Sequence, residues 1–186
     1  SHEVEKLSRT AHTTWTLTDV DFTNGPFMDV NTTATTLTPA SASVGTGVDI
    51  TASAITGING GVGWLATDVG RQIYFNSGYA TITARTNSTV AVATITTAFT
   101  NTDATAAFQL GSFSDTTGHP SCVTFFEQRL VFAGTTDQPQ TIFFSKSGDY
   151  ENMDENIGGT VADDDAMVYT IASNQVNAIR FMTATR

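Results

Sequence analysis

Acidic side chains are the residues of this chain best placed to do chemistry. Seven of them fall within residues 149–165, a segment without a single basic residue. Three interpretations compete. Asp163, Asp164 and Asp165 offer the oxygen ligands that calcium prefers, although their spacing is not that of a helix-loop-helix calcium loop. Two carboxylates facing each other across a cleft would suit a glycosidase. A solvated acidic loop is the simplest interpretation, since runs of charge usually mark solvated segments.

Nucleophilic catalysis would need a histidine placed beside a nucleophile and an orienting acid. The candidate bases are His12 and His119, because His2 has the character of a tag remnant. His119 lies in the sequence Gly-His-Pro, which is typical of a turn. The single cysteine, Cys122, has no basic residue close in sequence to activate it, and we interpret it as a small buried side chain. We expect no catalytic residue and no enzyme activity.

Glu127 and Arg129 lie two residues apart in an apolar run, which predicts that they share one face of a single strand. A partly covered arginine can bind a carboxylate or a carbonyl as a fork, and we interpret the pair as structural. The sequence contains no phosphate-binding loop, nucleophile elbow or metal-ligand spacing, and the glycine-rich segment at residues 57–63 lacks the Lys-Ser/Thr ending of a phosphate loop. The sequence therefore predicts no cofactor.

Charge and composition exclude further classes of protein. The chain carries 18 acidic and 8 basic side chains, a net charge of −10, so DNA or RNA phosphates would be repelled. One cysteine excludes an intrachain disulfide. No run of eighteen apolar residues occurs, and the first ten residues lack the pattern of a secretory signal. We expect a soluble protein made in the cytoplasm, with no membrane partner.

β-branched residues and 12 phenylalanines favour strands over helices. Residues 13–22 alternate as a strand with a bulge, and residues 31–47 have the polar, small-residue composition of a linker or a long exposed loop. Residues 64–70 predict one helical turn closed by Gly70. Short strands of a small barrel or sandwich are predicted at residues 48–55, 71–78, 79–86 and 88–99.

Four strand-like runs follow, at residues 122–134, 140–147, 166–172 and 177–183, with the spacing of a meander or a propeller blade. The chain stops directly after the last run, so we expect it to be a piece of a larger β protein. The predicted fold class is mainly β, with a small β-barrel domain and a partial antiparallel sheet resembling a propeller blade. The predicted domains are residues 1–30, 31–111 and 112–186, with the first strand region returning to the C-terminal sheet, because the ends of inserted domains tend to lie close together.

Four stretches resemble, in this order, segments of long phage and prophage virion proteins: HTTWTLTDVDFTNGPF, WLATDVGRQIYFNSGYATITARTNSTVAVATITTAF, GHPSCVTFFEQRLVFAGTTDQPQTIFFSKSGDYENM and DDDAMVYTIASNQVNAIRFM. The most specific element is P-x-x-V-x-F-x-x-x-R-L-x-F-A-G-T leading into P-Q-T-I-F-F-S and G-D-Y. The middle segment resembles the small β-barrel named after the first catalytic-cysteine half-domain of ubiquitin-activating enzymes (FCCH). That likeness concerns shape only, because nothing here resembles an adenylating site.

The segment from Pro120 onward is similar to the first blade of the propeller platform in nozzle proteins, which close the tail tube of short-tailed phages. The resemblance implies a non-enzymatic structural component of a virion, with tail proteins as partners and a homo-oligomeric ring as its assembly. The residues that match the motif would then serve the fold and its turns: Arg129, Gly134, Pro139, Ser145, Gly148, Asp149 and Tyr150.

Two alternatives stay open. A carbohydrate-binding or adhesin module would use aromatic platforms, for which Trp15, Trp64 and several tyrosines are candidates. A tail-associated glycan hydrolase would use carboxylates of residues 149–165.

Overall fold

The computed structural model describes residues 2–172 and 177–184. It confirms the mainly β fold class, since strands make up nearly all of the regular structure in these residues. The strands are β1 (Glu5–Ala11), β2 (Thr14–Asp19), β3 (Leu37–Pro39), β4 (Gly45–Ala52), β5 (Gln72–Phe75), β6 (Gly78–Arg85), β7 (Val90–Thr97), β8 (Gln109–Leu110), β9 (Cys122–Phe126), β10 (Arg129–Ala133), β11 (Thr141–Phe144) and β12 (Met167–Thr170).

Two short 3-10 helices cover Asn59–Gly61 and Ala66–Asp68. The second confirms the helical turn predicted at residues 64–70. Gly70 follows it with a φ of 89°, in the left-handed region that favours glycine. Within the described residues, neither helix has the length or the apolar character needed to cross a membrane.

The chain divides into two compact units. Residues 26–116 form one, called the half-barrel unit below, and residues 1–25 with 117–186 form the other, called the sheet unit. The domain limits given by the sequence stay a prediction, because compactness alone does not show that a segment folds independently.

Six antiparallel strands of the half-barrel unit curl in the order β3-β4-β7-β6-β5-β8. Both edge strands are very short, with three residues in β3 and two in β8. Each edge also has a further backbone partner. Leu37 and Thr105 exchange two backbone hydrogen bonds, of 2.9 and 3.0 Å. The backbone amide of Met28 donates to the Leu110 carbonyl at 2.9 Å. Short, paired edges leave little free backbone for another chain.

Apolar side chains fill the concave side of this sheet, because alternate residues of a strand point to the same face. The largest fully buried ones are Leu37, Ile50, Ile58, Trp64, Ile73, Phe75, Ile82, Ile95 and Phe108. Trp64 has 0% of its surface exposed. The prediction that Trp64 offers a stacking platform for sugars is therefore wrong.

The segment at residues 31–47 is likewise not a linker. It contains β3 and the start of β4, and it places Leu37 and Thr35 in the interior. Asn31 organises the approach, since its side-chain amide donates to the carbonyls of Thr33, Thr35 and Ala106 at 3.0 to 3.1 Å. A composition rich in small polar residues concealed an ordered edge of the sheet.

A buried ion pair braces the same unit. Arg71 Nη1 lies 3.0 Å from Asp68 Oδ1, and both side chains are 1% exposed. Arg71 Nε donates to the Gly111 carbonyl at 2.7 Å. The other Asp68 oxygen accepts from Asn59 Nδ2 at 2.7 Å and from the Leu65 amide at 2.8 Å. These hydrogen bonds offset the desolvation of two buried charges.

The sheet unit contains a four-stranded antiparallel sheet in the order β12-β11-β10-β9. Phe132 of β10 and Phe143 of β11 are directly paired and buried. Phe22 covers this face, since its ring meets the Phe132 ring edge-on with centroids 5.4 Å apart. One residue later, Thr23 forms a parallel bridge with Asn152.

Two details of this sheet differ from the sequence predictions. The run at residues 122–134 is two strands, because Glu127 and Gln128 take positive φ values of 46° and 62° and form the turn between β9 and β10. Glu127 and Arg129 therefore do not share one strand. The run at residues 177–183 forms no strand, since Ile179 makes a single backbone bond to Pro139 at 2.9 Å in place of a ladder.

β1 and β2 form a two-stranded hairpin, called the N-terminal hairpin below (residues 5–19). The sequence predicted only its second strand and placed a bulge within residues 13–22. The structure puts the register shift in β1, between Arg9 and Ala11. Every residue of β2 is exposed, and in β1 only Ser8 is partly covered.

Candidate functional site

Arg129 connects two sets of residues that the sequence analysis singled out: the motif residues of the sheet unit and the acidic residues at 149–165. It is buried at the start of β10, and its Nη1 donates to the carbonyls of Ser145 at 2.7 Å and Asp165 at 2.6 Å. Its Nη2 donates to the Asp163 carbonyl at 2.6 Å. The guanidinium thus binds the backbone of the acidic loop (residues 149–165) to the end of β11. This is the fork that the sequence allowed, with carbonyls as its partners.

Asp165 is buried, and its carbonyl binds Arg129 while its carboxylate binds other residues. Lys146 Nζ lies 2.7 Å from Asp165 Oδ1, and the Ala162 amide donates to Oδ2 at 2.8 Å. The hydrogen bond from Lys146, followed by that from Ala162, lowers the pKa of the Asp165 carboxyl. The same hydrogen bond raises the pKa of Lys146 against the smaller, opposite effect of its burial. The pair closes the acidic loop at its C-terminal end.

The structure does not bring the three calcium candidates together as ligands. Asp163 and Asp164 are exposed, whereas both oxygens of Asp165 have partners. In residues 2–172 and 177–184, no group of three or more acidic, histidine or cysteine side chains is arranged to hold a metal. Asp154 is also engaged, because its two oxygens accept from Asn24 Nδ2 at 3.2 Å and the Asn156 amide at 2.8 Å.

The other motif residues lie at turns and strand ends of the sheet unit. Ser145 is buried, and its hydroxyl accepts from the Leu130 amide at 2.9 Å and donates to the Lys146 carbonyl at 3.0 Å. Gly134 and Gly148 both have a φ of 76°. At Gly134 an added Cβ would lie 2.6 Å from the Ile179 carbonyl oxygen, so a side chain is excluded by space as well as by conformation.

Pro139, Asp149 and Tyr150 are the remaining motif residues. The Pro139 carbonyl accepts from the Ile179 amide, and Asp149 Oδ2 accepts from Asn152 Nδ2 at 3.1 Å. Tyr150 is exposed, and its ring meets the Phe125 ring edge-on at 5.3 Å. Each contact serves the local fold.

His12 and Cys122, two candidates for nucleophilic catalysis, make their observed contacts with other residues. His12 is at the tip of the N-terminal hairpin, with its Nδ1 3.0 Å from Arg9 Nη2. Cys122 is buried, and its Sγ lies 3.5 Å from the Ile179 carbonyl oxygen. His119 follows the turn at residues 115–117. The observed contacts of His12 and Cys122 are those of fold residues.

An exposed aromatic edge is the feature that sequence reasoning missed. We use this name for Val123, Phe125 and Phe126 of β9 with Tyr150 beside them. Val123 is 59% exposed and Phe125 is 62% exposed. An apolar run favours core positions, but the structure leaves these side chains exposed on β9, an outer strand of its sheet. The signal available in the sequence was the double aromatic directly before the polar Glu-Gln pair.

Comparison of the sequence with known protein families gave no match, and no similar curated protein was found. The site must therefore be interpreted from its own geometry. It consists of a buried arginine that holds an acidic loop, and an outer strand that carries exposed aromatic rings.

Proposed function

We propose that this chain is a non-enzymatic structural component of a phage or prophage virion, as part of a tail, nozzle or connector protein. The resemblance of the segment from Pro120 onward to tail nozzle proteins points to the class of assembly. In such an assembly the chain would contact other tail proteins, and the full-length protein would form a homo-oligomeric ring. The half-barrel unit would be its FCCH-like insert.

One observation carries the proposal: the motif residues support the sheet, while Val123, Phe125 and Phe126 on its outer strand β9 are left exposed. Arg129 and Ser145 donate to backbone carbonyls, which is the contact pattern of a fold residue. Phe125, in contrast, extends into solvent. A buried frame with an apolar outer edge is what a subunit needs to join neighbours.

The net charge of the chain agrees with a place near a DNA path. A net charge of −10 gives the chain few of the cationic contacts that hold DNA nonspecifically. In a ring around a DNA exit channel, an acidic lumen would let DNA slide. A ring with a basic lumen would contradict this part of the proposal.

Immunogold labelling tests the proposal. Antibody raised against this chain is applied to particles induced from the source strain, and a sample of the same antibody absorbed with the pure chain serves as control. We expect gold at the tail end of the particles. Unlabelled particles, with the protein found elsewhere in the cell or in the medium, would contradict a virion role.

A carbohydrate-binding module is the second candidate, favoured by exposed rings at Trp15 and Tyr169. Trp15 is also stacked with a cation, since the Arg9 guanidinium carbon lies 5.5 Å from its ring centroid. Binding on a glycan array that is lost in Trp15→Thr and kept in Thr16→Ser would support this function. An array without binding would remove it.

A further inference from the structure

We infer that the N-terminal hairpin of one copy of this chain docks along β9 of a second copy, in a head-to-tail contact. The inference deepens the proposed structural role, on which it rests, by naming the partner and both surfaces. Two features of the sheet unit carry it: the other described residues leave the apolar face of the hairpin exposed, and none of the described strands pairs with the outer edge of β9.

The N-terminal hairpin has an apolar face that the rest of the described chain leaves exposed. Leu7 lies directly opposite Leu17, and Arg9 lies opposite Trp15, so these four side chains share one face. Leu7, Leu17 and Trp15 are 62%, 58% and 55% exposed. The opposite face presents Lys6, serine and threonine side chains. An isolated two-stranded hairpin is marginal in water, so covering its apolar face would stabilise it.

β9 has the properties of an acceptor strand. Within the described residues, its outer edge pairs with no other strand. Its sequence, CVTFF, contains neither proline nor lysine, the residues that commonly block an edge. Val123 and Phe125 lie two residues apart and therefore present one apolar face. A strand of this kind can be extended by main-chain hydrogen bonds to another chain, with the side chains packing alongside.

Charge decides which partner fits. The hairpin contains two basic residues, Lys6 and Arg9, and its two acids, Glu5 and Asp19, lie opposite each other at its base. Lys6 pairs with Glu151 of the same copy, which holds the base of the hairpin, and Arg9 is the cation nearer its tip. Beside β9 lie Glu127 and the acidic loop, which contributes Tyr150 to the aromatic edge. Two β9 edges facing each other would bring acids together, whereas a hairpin on β9 brings Arg9 to them.

The contact uses different surfaces on its two sides. Each copy has one hairpin to give and one β9 to receive, so the association is heterologous and leads to a closed ring or an open filament. The second copy is therefore the partner of choice, since this chain carries both complementary halves.

Sedimentation velocity over a concentration series of the full chain tests the inference. We expect the wild type to form species larger than a dimer. Leu7→Thr/Leu17→Thr, which removes the apolar face but keeps residues suited to strands, should weaken association by more than about tenfold. Val123→Thr/Phe125→Thr on the acceptor side should do the same. An equimolar mixture of the two variants should form a one-to-one dimer, because each variant keeps the half that the other has lost.

Matched variants serve as controls. Thr16→Ser/Thr18→Ser changes the opposite face of the hairpin, and Met167→Thr/Tyr169→Thr changes exposed side chains on the other outer strand. Both should associate as the wild type does. Arg9→Glu, which leaves all apolar residues in place, should weaken association as well, and it provides a second test if a threonine variant fails to fold.

A wild type that stays monomeric at every concentration would overturn the inference, as would a mixture that stays monomeric while the wild type associates. Loss of association in Met167→Thr/Tyr169→Thr alone would place the acceptor on β12 and overturn the assignment to β9. The virion role is judged separately: labelled tails with a monomeric chain would contradict only this inference, and association with unlabelled particles would contradict only the virion role.

Discussion

The half-barrel unit and the sheet unit differ at the edges of their sheets. In the half-barrel unit both edge strands are short and have further backbone partners. In the sheet unit, β9 and β12 have four or five residues and are the outer strands of their sheet. Exposed large apolar side chains follow the same division. Among described residues they are all aliphatic in the half-barrel unit, whereas the exposed aromatic rings belong to the sheet unit.

The two units differ in the side chains that they leave exposed. The half-barrel unit has short edge strands with further backbone partners and buries Trp64 in its core. A sheet with open edges and exposed rings gains stability when another chain covers them. Under the docking contact proposed above, the sheet unit is therefore the part of the chain that associates.

Among the charged contacts, the largest expected effect is in the half-barrel unit. Arg71→Met leaves Asp68 buried without its counter-ion, and we expect a loss of about 3 to 5 kcal/mol in the free energy of unfolding. Urea unfolding followed by the fluorescence of Trp64, in a Trp15→Phe background, measures it. The exposed Arg180→Met is the matched control and should change little. A small effect at Arg71 would mean that this unit does not depend on its ion pair.

A smaller loss is expected at the arginine of the sheet unit. Arg129→Met leaves three carbonyls without a donor, and we expect a loss of about 2 to 3 kcal/mol in the free energy of unfolding. The loss is smaller than at Arg71 because part of the loop can turn so that its carbonyls bind water. Hydrogen exchange locates the effect. The amides of Ser147, Asp165 and Ala166, which donate within and beside the acidic loop, should lose protection. Unchanged exchange at these amides would show that Arg129 does not hold the loop.

The pH dependence of the sheet unit should report the pair of Lys146 and Asp165. The pKa of Asp165 is lowered in the folded state, so its contribution is present above the ordinary value of 3.8 and is lost as the pH falls through the lowered pKa. The pKa of Lys146 is raised, so its contribution is present below 10.5 and is lost as the pH rises through the raised pKa.

Thermal unfolding of wild type and Lys146→Met measures this dependence. The difference in melting temperature should stay constant between about pH 5 and pH 9 and shrink toward both extremes. A difference that grows in acid would contradict the lowered pKa of Asp165.

The smallest effect on monomer stability is expected at the aromatic edge. Phe125→Thr removes an exposed ring, and at a concentration where the chain is monomeric it should change the free energy of unfolding by less than about 0.5 kcal/mol. Phe143→Ala in the buried core of the same sheet should cost about 3 to 5 kcal/mol. Equal losses at the two positions would show that Phe125 is a core residue.

Much of the fold follows from patterns within short stretches of sequence. The strands at residues 48–55, 71–86 and 88–99 and the turn ending at Gly70 were predictable because alternation and turn residues act locally. β1 was missed because its charged residues interrupt the alternation of apolar and polar side chains that marks a strand. β3 was missed inside a polar stretch, where the burial of Leu37 comes from contacts distant in sequence.

The candidate site was less predictable, because it depends on contacts between distant residues. The Arg129 guanidinium meets carbonyls 16, 34 and 36 positions away. A fork was foreseeable from the residue type, but its partners were not. The exposure of Phe125 depends on the order of strands in the sheet, which no local pattern contains. Glu127 and Gln128 form a tight turn without the glycine or asparagine that commonly marks one.

Hydrogen exchange at low and high protein concentration tests the division of roles most directly. The account predicts that amides of the N-terminal hairpin and of β9 gain protection at high concentration, while amides of the half-barrel strands keep the same protection at both. Protection gained along β3 or β8, or no gain at β9, would contradict the claim that the sheet unit is the part of this chain built for association.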